Sequence, residues 1–252
     1  MTRRPARKTA DRPGRKSGAR FGGWFRRPKA LWPRLRRWVL GGGLGLIALM
    51  LLLILAFTII PPPRGPYMIA EGFRHDGIAR DWAPLERISP NLARAVVAAE
   101  DANYCLHWGF DMGAIRQAID DGRGRGASTI SQQTVKNVFL WQGRSWPRKA
   151  LEALLTPVVE AVWSKRRILE VYLNVAEFDT GVFGAEAAAQ HYFGVSAADL
   201  TPTQAARLAA ILPDPKGRSA SKPSTFVRNR TQAILDGAAT IRADGRDACF
   251  AA

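Results

Sequence analysis

Between Trp38 and Ile60 lie 23 consecutive residues without a charge, closed by Pro61-Pro62-Pro63. At 1.5 Å rise per residue a helix of that length reaches roughly 35 Å, enough to cross a bilayer core of about 30 Å. The apolar region of a cleaved signal peptide is shorter, about 7–15 residues, and ends at small residues. No such site precedes the prolines, so the run predicts an uncleaved anchor. Residues 1–37 hold 14 Lys/Arg against the single acid Asp11, which gives this tail a charge of +13. The remaining 23 Lys/Arg and 20 acids leave only +3. The net +16 of the chain therefore belongs to the tail, and a nucleic-acid-binding domain is not implied. An Arg/Pro/Gly-rich tail cannot bury a core and reads as disordered. Positive charge ahead of the span keeps the N-terminus cytoplasmic and places the rest on the far side.

Four parts follow: a basic tail (1–37), a membrane helix (38–60), a Pro-rich linker (61–66) and one domain (67–252). That domain reads as mainly helical, with few strand-like segments. Ser89-Pro90 opens a helix with Leu92, Ala95, Val96 and Ala99 on one face. Ser145 and Pro147 open another, whose apolar stripe Leu151, Leu154, Leu155, Val158 and Val162 is expected to face the core. Ser164 caps a third, with Ile168, Leu169, Tyr172 and Leu173 inward. Thr201-Pro202-Thr203-Gln204 fits a capping box, and a last helix runs from Phe226 to about Arg242. Gly122–Gly126 is a Gly/Arg loop expected to be mobile. Cutting at residue 60 is expected to leave an independently folded domain. The two cysteines, Cys105 and Cys249, form neither metal-site spacing nor a disulfide framework, and nothing in the sequence shows that they meet.

Four groups carry chemistry. Glu100 ends an apolar helix, and Asp101, Tyr104, His107, Gly109 and Asp111 follow it. The negative end of the helix dipole and partial burial both favour proton acceptance by that carboxylate near neutral pH, as a general base requires; a solvated helix-end Glu is the plainer alternative. In the second group, Ser128 or Thr129 can cap a helix whose free N–H groups, with Lys136, form an anion site. Ile130, Ser131, Gln132, Gln133 and Asn137 complete it; a capped polar helix explains the same residues. Arg148, Lys149 and Glu152 share one helix face, suited to a phosphate-bearing substrate or to an ordinary surface ion pair. In the fourth group Glu170 and Asn174, one turn apart, invite a structural hydrogen-bond role.

In order and spacing these groups resemble the bacterial peptidoglycan glycosyltransferases, the polymerase module of bifunctional penicillin-binding proteins. The strings are EDANYCLHWGFD (100–111), GASTISQQTVKN (126–137), RKALEA (148–153) and KRRILEVYLN (165–174). AAAQHYFG (187–194) and LTPTQAARLAAILPDP (200–215) continue the likeness over about residues 67–240. Tyr104 stands where the family usually has Phe. The resemblance implies a mainly α, lysozyme-like glycosyltransferase domain with a small jaw lobe near the membrane. It implies polymerisation of lipid II into β-1,4-linked glycan, with inversion and release of undecaprenyl pyrophosphate. Glu100 and Glu152 would then be catalytic, Glu100 as the base. Asp101, His107, Ser128, Thr129, Gln132, Gln133, Lys136, Asn137, Arg148 and Lys149 would bind substrate. Neither a metal site nor an obligatory cofactor is implied, although a divalent cation could assist at the pyrophosphate. The partners would be lipid II, the growing lipid-linked strand, the membrane and other cell-wall synthesis proteins. The enzyme would be a single-pass protein of the bacterial inner membrane with a periplasmic catalytic domain. Val138, Phe139, Leu140, Trp141 and Trp146 suit either a lipid-touching jaw or plain core.

Other readings fit less well. Ser219-Ala220-Ser221-Lys222 matches the first motif of a penicillin-binding domain, but its other two motifs are missing from the 30 residues that follow. A lysozyme-like hydrolase would have no pyrophosphate to engage Lys136, Arg148 and Lys149. A plain anchor or scaffold would need no paired glutamates.

Overall fold

The computed structural model describes residues 31–122 and 128–251. The basic tail up to residue 30 and residues 123–127 of the Gly/Arg loop lie outside the described residues. Two compact units divide the chain, one up to Leu49 and one from Met50 onward. In the first unit, the described residues belong to helix α1 (Leu31–Ala56), whose stretch Leu35–Ala56 is long and apolar enough to cross a membrane. Trp38 and Leu44 are exposed along it.

The second unit is built from nine further helices among the described residues. They are α2 (Pro66–Arg74), α3 (Pro90–Glu100), α4 (Met112–Asp120), α5 (Ile130–Phe139), α6 (Trp146–Val162), α7 (Lys165–Val175), α8 (Ala185–Phe193), α9 (Pro202–Ile211) and α10 (Thr225–Ala243). The mainly α, lysozyme-like class expected from the sequence is the one observed. A small sheet accompanies the helices: β1 (Ala79–Arg80) runs parallel to β3 (Val182–Phe183), and β2 (Glu177–Asp179) pairs antiparallel on its other edge.

Helix starts follow the polar caps. Ser89, Ser145, Ser164 and Ser224 each accept a backbone N–H in the first turn of α3, α6, α7 and α10. Thr201 and Gln204 form the expected box at α9, which satisfies two otherwise orphaned groups. Helices α3, α9 and α10 pack together, and α5 packs against α6 and α7. The core of this unit includes Leu92, Val96, Ile130, Ile168, Leu169, Leu173, Phe178, Phe183 and Leu208, all fully buried. Glu170 and Asn174 take the structural role expected of them. The Asn174 amide bonds both the N–H and the carbonyl of Ala83, and Glu170 accepts from the Leu85 N–H.

Helix α6 meets the expectation only in part: Leu155 and Val158 of the stripe pack partly buried against the core. Leu154 is 69% exposed, and Leu151 and Val162 are also exposed. The buried face carries Arg148, Glu152, Thr156, Val159 and Glu160. Periodicity shows which residues share a face but not which way that face points. Here the polar side chains satisfy one another inside: Arg148 and Lys149 hold Glu152, while Ser131 and Lys165 hold Glu160. Leu151, Leu154 and Val162 are left outside. The aromatic stretch also divides, with Val138 and Leu140 buried and Trp141 and Trp146 exposed.

The boundary after the apolar run differs as well. Ile54 and Phe57 are buried in the second unit. The Trp163 indole donates to the Ile54 carbonyl at 2.7 Å, and Arg167 donates to the carbonyls of Phe57 and Ile60. Phe57 stacks on Phe139 at 6.0 Å. Farther on, Gly65 lies so close to α5 that a Cβ there would sit 2.3 Å from the Asn137 carbonyl oxygen, so only glycine fits. Protein beginning at Met50 is therefore expected to melt several degrees above protein beginning at Pro61, both in detergent. Each lost buried side chain leaves a cavity costing about 2–5 kcal/mol. Equal melting temperatures would show that residues 50–60 are dispensable to the fold.

Cys105 and Cys249 are joined by a disulfide, with Cα atoms 5.6 Å apart and a sequence separation of 144. The pairing was invisible in the sequence because it depends on the C-terminal turn after α10 folding back beneath the loop that follows α3.

Candidate active site

Glu100 is the last residue of α3, where the sequence places it. Its carboxylate accepts a hydrogen bond from the Gln133 amide at 2.9 Å. The other end of that amide accepts from the Tyr172 hydroxyl at 3.2 Å. Burial pushes the Tyr172 hydroxyl well above its usual range, so it stays a donor and fixes which end of Gln133 faces Glu100. Burial also raises the Glu100 carboxyl above the ordinary carboxylate value. The Gln133 bond and the charges of Arg230 and Lys136 pull it down, and Asp101 pushes it up.

The next residue, Asp101, is occupied inside the protein. One oxygen accepts the Ile130 N–H at the first turn of α5 at 2.9 Å, and the other meets His107 Nε2 at 2.7 Å. Thr129 and Gln132 form a capping box at the same helix start, and the Thr129 hydroxyl donates to the Gly109 carbonyl. Gly109 has φ +80°, and a Cβ there would press on Thr156 at 2.8 Å. Four residues expected to touch substrate, Asp101, His107, Thr129 and Gln132, therefore spend these groups on joining α3 to α5. The structure brings them together as a brace.

Helix α5 also carries Lys136 and Asn137. Lys136 has no ion-pair partner within 4.0 Å among the described residues. Burial lowers its pKa, Glu152 and Glu100 raise it, and Arg148 and Lys149 lower it. The Asn137 Oδ1 is buried without a hydrogen-bond partner among the described residues. Across from them Glu152, 2% exposed, is held by Arg148 at 2.6 Å and by Lys149 at 2.5 Å. Lys149 also reaches the Ser128 hydroxyl at 3.2 Å, and Arg148 Nε donates to the Gly143 carbonyl. The two cations are thus neutralised in part by Glu152, whereas Lys136 has no such partner among the described residues.

Two cavities meet at this assembly. One, of about 420 Å³, is lined by Gln133, Lys136, Asn137, Tyr172 and Lys216 among others. A smaller one of about 220 Å³ is lined by Glu100, Asp101, Asn103, Asp111 and Ser128. The Glu100–Gln133 hydrogen bond bridges a wall residue of each. Lys216 and Tyr172 were missed as candidates. Tyr172 reads as a core position of α7, and only its hydroxyl, at the end of a buried ring, reaches the polar network. Lys216 directly follows the string 200–215, in which the acid Asp214 and two prolines break the apolar run. Arg230 of α10 was missed too; it donates to the Ala99 carbonyl at 3.2 Å, one residue from Glu100.

A family model described as transglycosylase matches residues 68–239. The chain belongs to the transglycosylase family. It is 64% identical over 225 residues to a biosynthetic peptidoglycan transglycosylase of Jannaschia sp. (strain CCS1), covering 89% of this chain and 94% of that one. A protein of the same description from Caulobacter vibrioides is 47% identical over 221 residues, covering 86% and 96%. One from Cronobacter sakazakii is 49% identical over 217 residues, covering 82% and 90%. The resemblance carried by the six strings is thereby shown, and the transglycosylase is an enzyme. All four chemistry-bearing groups fall inside the matched span.

Proposed function

We propose that this transglycosylase polymerises lipid II into β-1,4-linked glycan with release of undecaprenyl pyrophosphate, Glu100 acting as general base. The observation that supports it most is a partly buried carboxylate, aligned by Gln133, together with a lysine that has no ion-pair partner among the described residues and lies one turn along the same helix as that glutamine. Glu100 removes the proton from the acceptor sugar's 4-hydroxyl as that oxygen attacks the anomeric carbon. The C–O bond to the diphosphate breaks, the configuration inverts, and the electron pair leaves with the diphosphate. A departing diphosphate needs positive charge rather than a proton donor. Lys136 supplies it directly. Arg148 and Lys149, anchored on Glu152, supply it from the neighbouring helix, with Ser128 and Asn137 as polar contacts. Asp101, His107, Thr129 and Gln132 hold the two halves of the site in register. Gln133 is both wall and aligner.

The membrane enters this reading twice: α1 anchors the chain, and the exposed apolar face of α6 meets lipid. The domain belongs on the periplasmic side of the inner membrane, because a disulfide persists in an oxidising compartment. A thiol reagent applied to native membranes before any reductant is expected to leave Cys105 and Cys249 unlabelled; labelling of both would place the domain in the cytoplasm. The activity itself is tested by incubating the full-length protein in detergent with lipid II and sizing the products. Long glycan and free undecaprenyl pyrophosphate are expected. Consumption of preformed glycan without polymer would make it a hydrolase. Added magnesium or chelator in the same assay reads any assistance by a divalent cation.

A further inference from the structure

The family match ends at residue 239, yet the chain continues into a turn that returns to the site. Helix α10 ends at Ala243, and the residues after it lie against the loop that leaves Glu100. Arg246 donates to the Ala102 carbonyl at 3.1 Å. Asp247, 8% exposed, accepts from Arg94 of α3 at 2.7 Å. Cys249 is bonded to Cys105. The Phe250 ring lies 6.2 Å from that of Tyr104, and its carbonyl accepts from Arg166 of α7 at 3.0 Å. These ties grip residues 102–105 from one side.

The gripped loop is the joint of the site. Glu100 precedes it, Asp101 starts it, and His107 closes it onto Asp101. Asp101 in turn holds the first turn of α5, the helix that presents Gln133 and Lys136. Displacing the loop would move the carboxylate relative to its aligning amide and to the cation. Shifts of about 1 Å in such alignments cost up to about a hundredfold in rate.

We propose that the C-terminal turn Arg246–Phe250, locked by the Cys105–Cys249 disulfide, is a clasp that positions Glu100 for glycosyl transfer, so that the oxidised enzyme is the fast one. The inference rests on the reading of Glu100 as the base. Closing the clasp joins two thiols into one S–S bond with loss of two protons and two electrons. The electrons pass by thiol–disulfide exchange to a disulfide oxidant, which leaves as two thiols. Both cysteines are only partly buried, so such a reagent can reach them. With the bond open, the Arg94–Asp247 pair and the Arg166 bond to the Phe250 carbonyl still hold the turn to α3 and α7, but the loop itself keeps only the Arg246 bond to Ala102 and the Phe250–Tyr104 ring contact. An exposed arginine contact contributes little to holding a loop.

The test uses full-length protein in detergent, oxidised, reduced with free thiols counted, and as Cys249→Ser. Rates are taken at a temperature at which the circular dichroism of reduced and oxidised protein coincides. Reduction is expected to lower kcat about tenfold or more, with KM for lipid II within about twofold. Oxidised glutathione is expected to restore the rate. Cys249→Ser is expected to have the low kcat and no response to reductant. Hydrogen exchange at the amides of Tyr104 and Leu106, which bond Asp101 and Asn103 in the closed loop, is expected to quicken on reduction. Unchanged kcat with two free thiols, even with a lower melting temperature, would make the bond a stability staple and overturn the proposal. So would the absence of any temperature at which the reduced protein stays folded. If Cys249→Ser does not fold, reversible reduction of the wild type decides. Unchanged exchange in the loop sinks the clasp whatever Glu100 does, whereas an active Glu100→Gln variant sinks the base assignment whatever the thiols do.

Discussion

Glu100→Gln is expected to cut glycan polymerisation by about 10²–10⁴ while raising the melting temperature at neutral pH. The loss is that of a general base. Glutamine keeps the shape and can still accept from Gln133, so substrate binding is expected to change little. The gain in stability follows from burial. The folded-state pKa of Glu100 lies above its unfolded value of 4.5. Between those two values the native state binds more protons, so this group's contribution to stability falls as pH rises through that window. An amide has no charge to bury and escapes that cost. The same shift sets the pH profile: the wild-type rate is expected to decline as pH falls towards the raised pKa, higher than an ordinary carboxylate would give. Assays of polymer length and thermal melts across pH check both halves. A folded Gln variant that polymerises at near wild-type rate would remove Glu100 from the mechanism.

Lys136→Met and Arg148→Ala are expected to fail in different ways. Lys136 is lowered in pKa chiefly by burial and makes no ion pair among the described residues. Its unfolded state binds the proton more tightly, so its contribution to stability rises with pH through the window below 10.5 and is unfavourable at neutral pH. Methionine removes that cost, and the fold is expected to hold or gain. The rate is expected to drop about 10²–10³, the loss seen when one group stabilising developing negative charge is removed. Arg148 instead holds the buried Glu152 from a side chain only 11% exposed. Removing it leaves Glu152 with Lys149 alone, whose side chain is 41% exposed. A destabilisation of about 3 kcal/mol is expected, with activity falling partly through loss of folded protein. Melting curves beside single-temperature kinetics separate the two. A stable Arg148→Ala with a pure rate defect would mean that Glu152 needs no buried counter-charge.

Much of this was legible in the sequence, for identifiable reasons. The starts of α3, α5, α6, α7 and α9 were readable because each is written locally in a Ser or Thr cap, whereas α2 and α8 begin after Gly65 and Gly184 without a side-chain cap. Glu100 at a helix end was readable because the apolar period of α3 stops there. The roles inside the second group were not. Thr129, Gln132 and Gln133 are adjacent polar residues, and only the fold shows that two of them cap the helix while the third reaches Glu100. Asp101 and His107 are implied as substrate contacts by the resemblance alone; their partners inside the protein, 29 residues away and within the same loop respectively, leave no local pattern. Tyr172 and Arg230 act across α7 and α10, distances in sequence that no local pattern records. The mixed burial of α6 escaped for a different reason: Arg148, Glu152 and Glu160 can be buried beside Val159 because these charges are paired inside the protein.

The exposed apolar side chains of α6 have a practical consequence for anyone handling the protein without its anchor. Trp146, Leu151, Leu154 and Val162 of α6 are exposed, as is Trp141 shortly before it. Several large apolar side chains exposed on one helix are an association liability, and two copies can relieve it by burying them against each other. Cleaving off α1 would therefore not yield a well-behaved solution enzyme. Such a fragment would stay monomeric only while surfactant coats α6, and diluting the surfactant below its micelle concentration would drive it into self-associated, turbid material even though every helix remained folded.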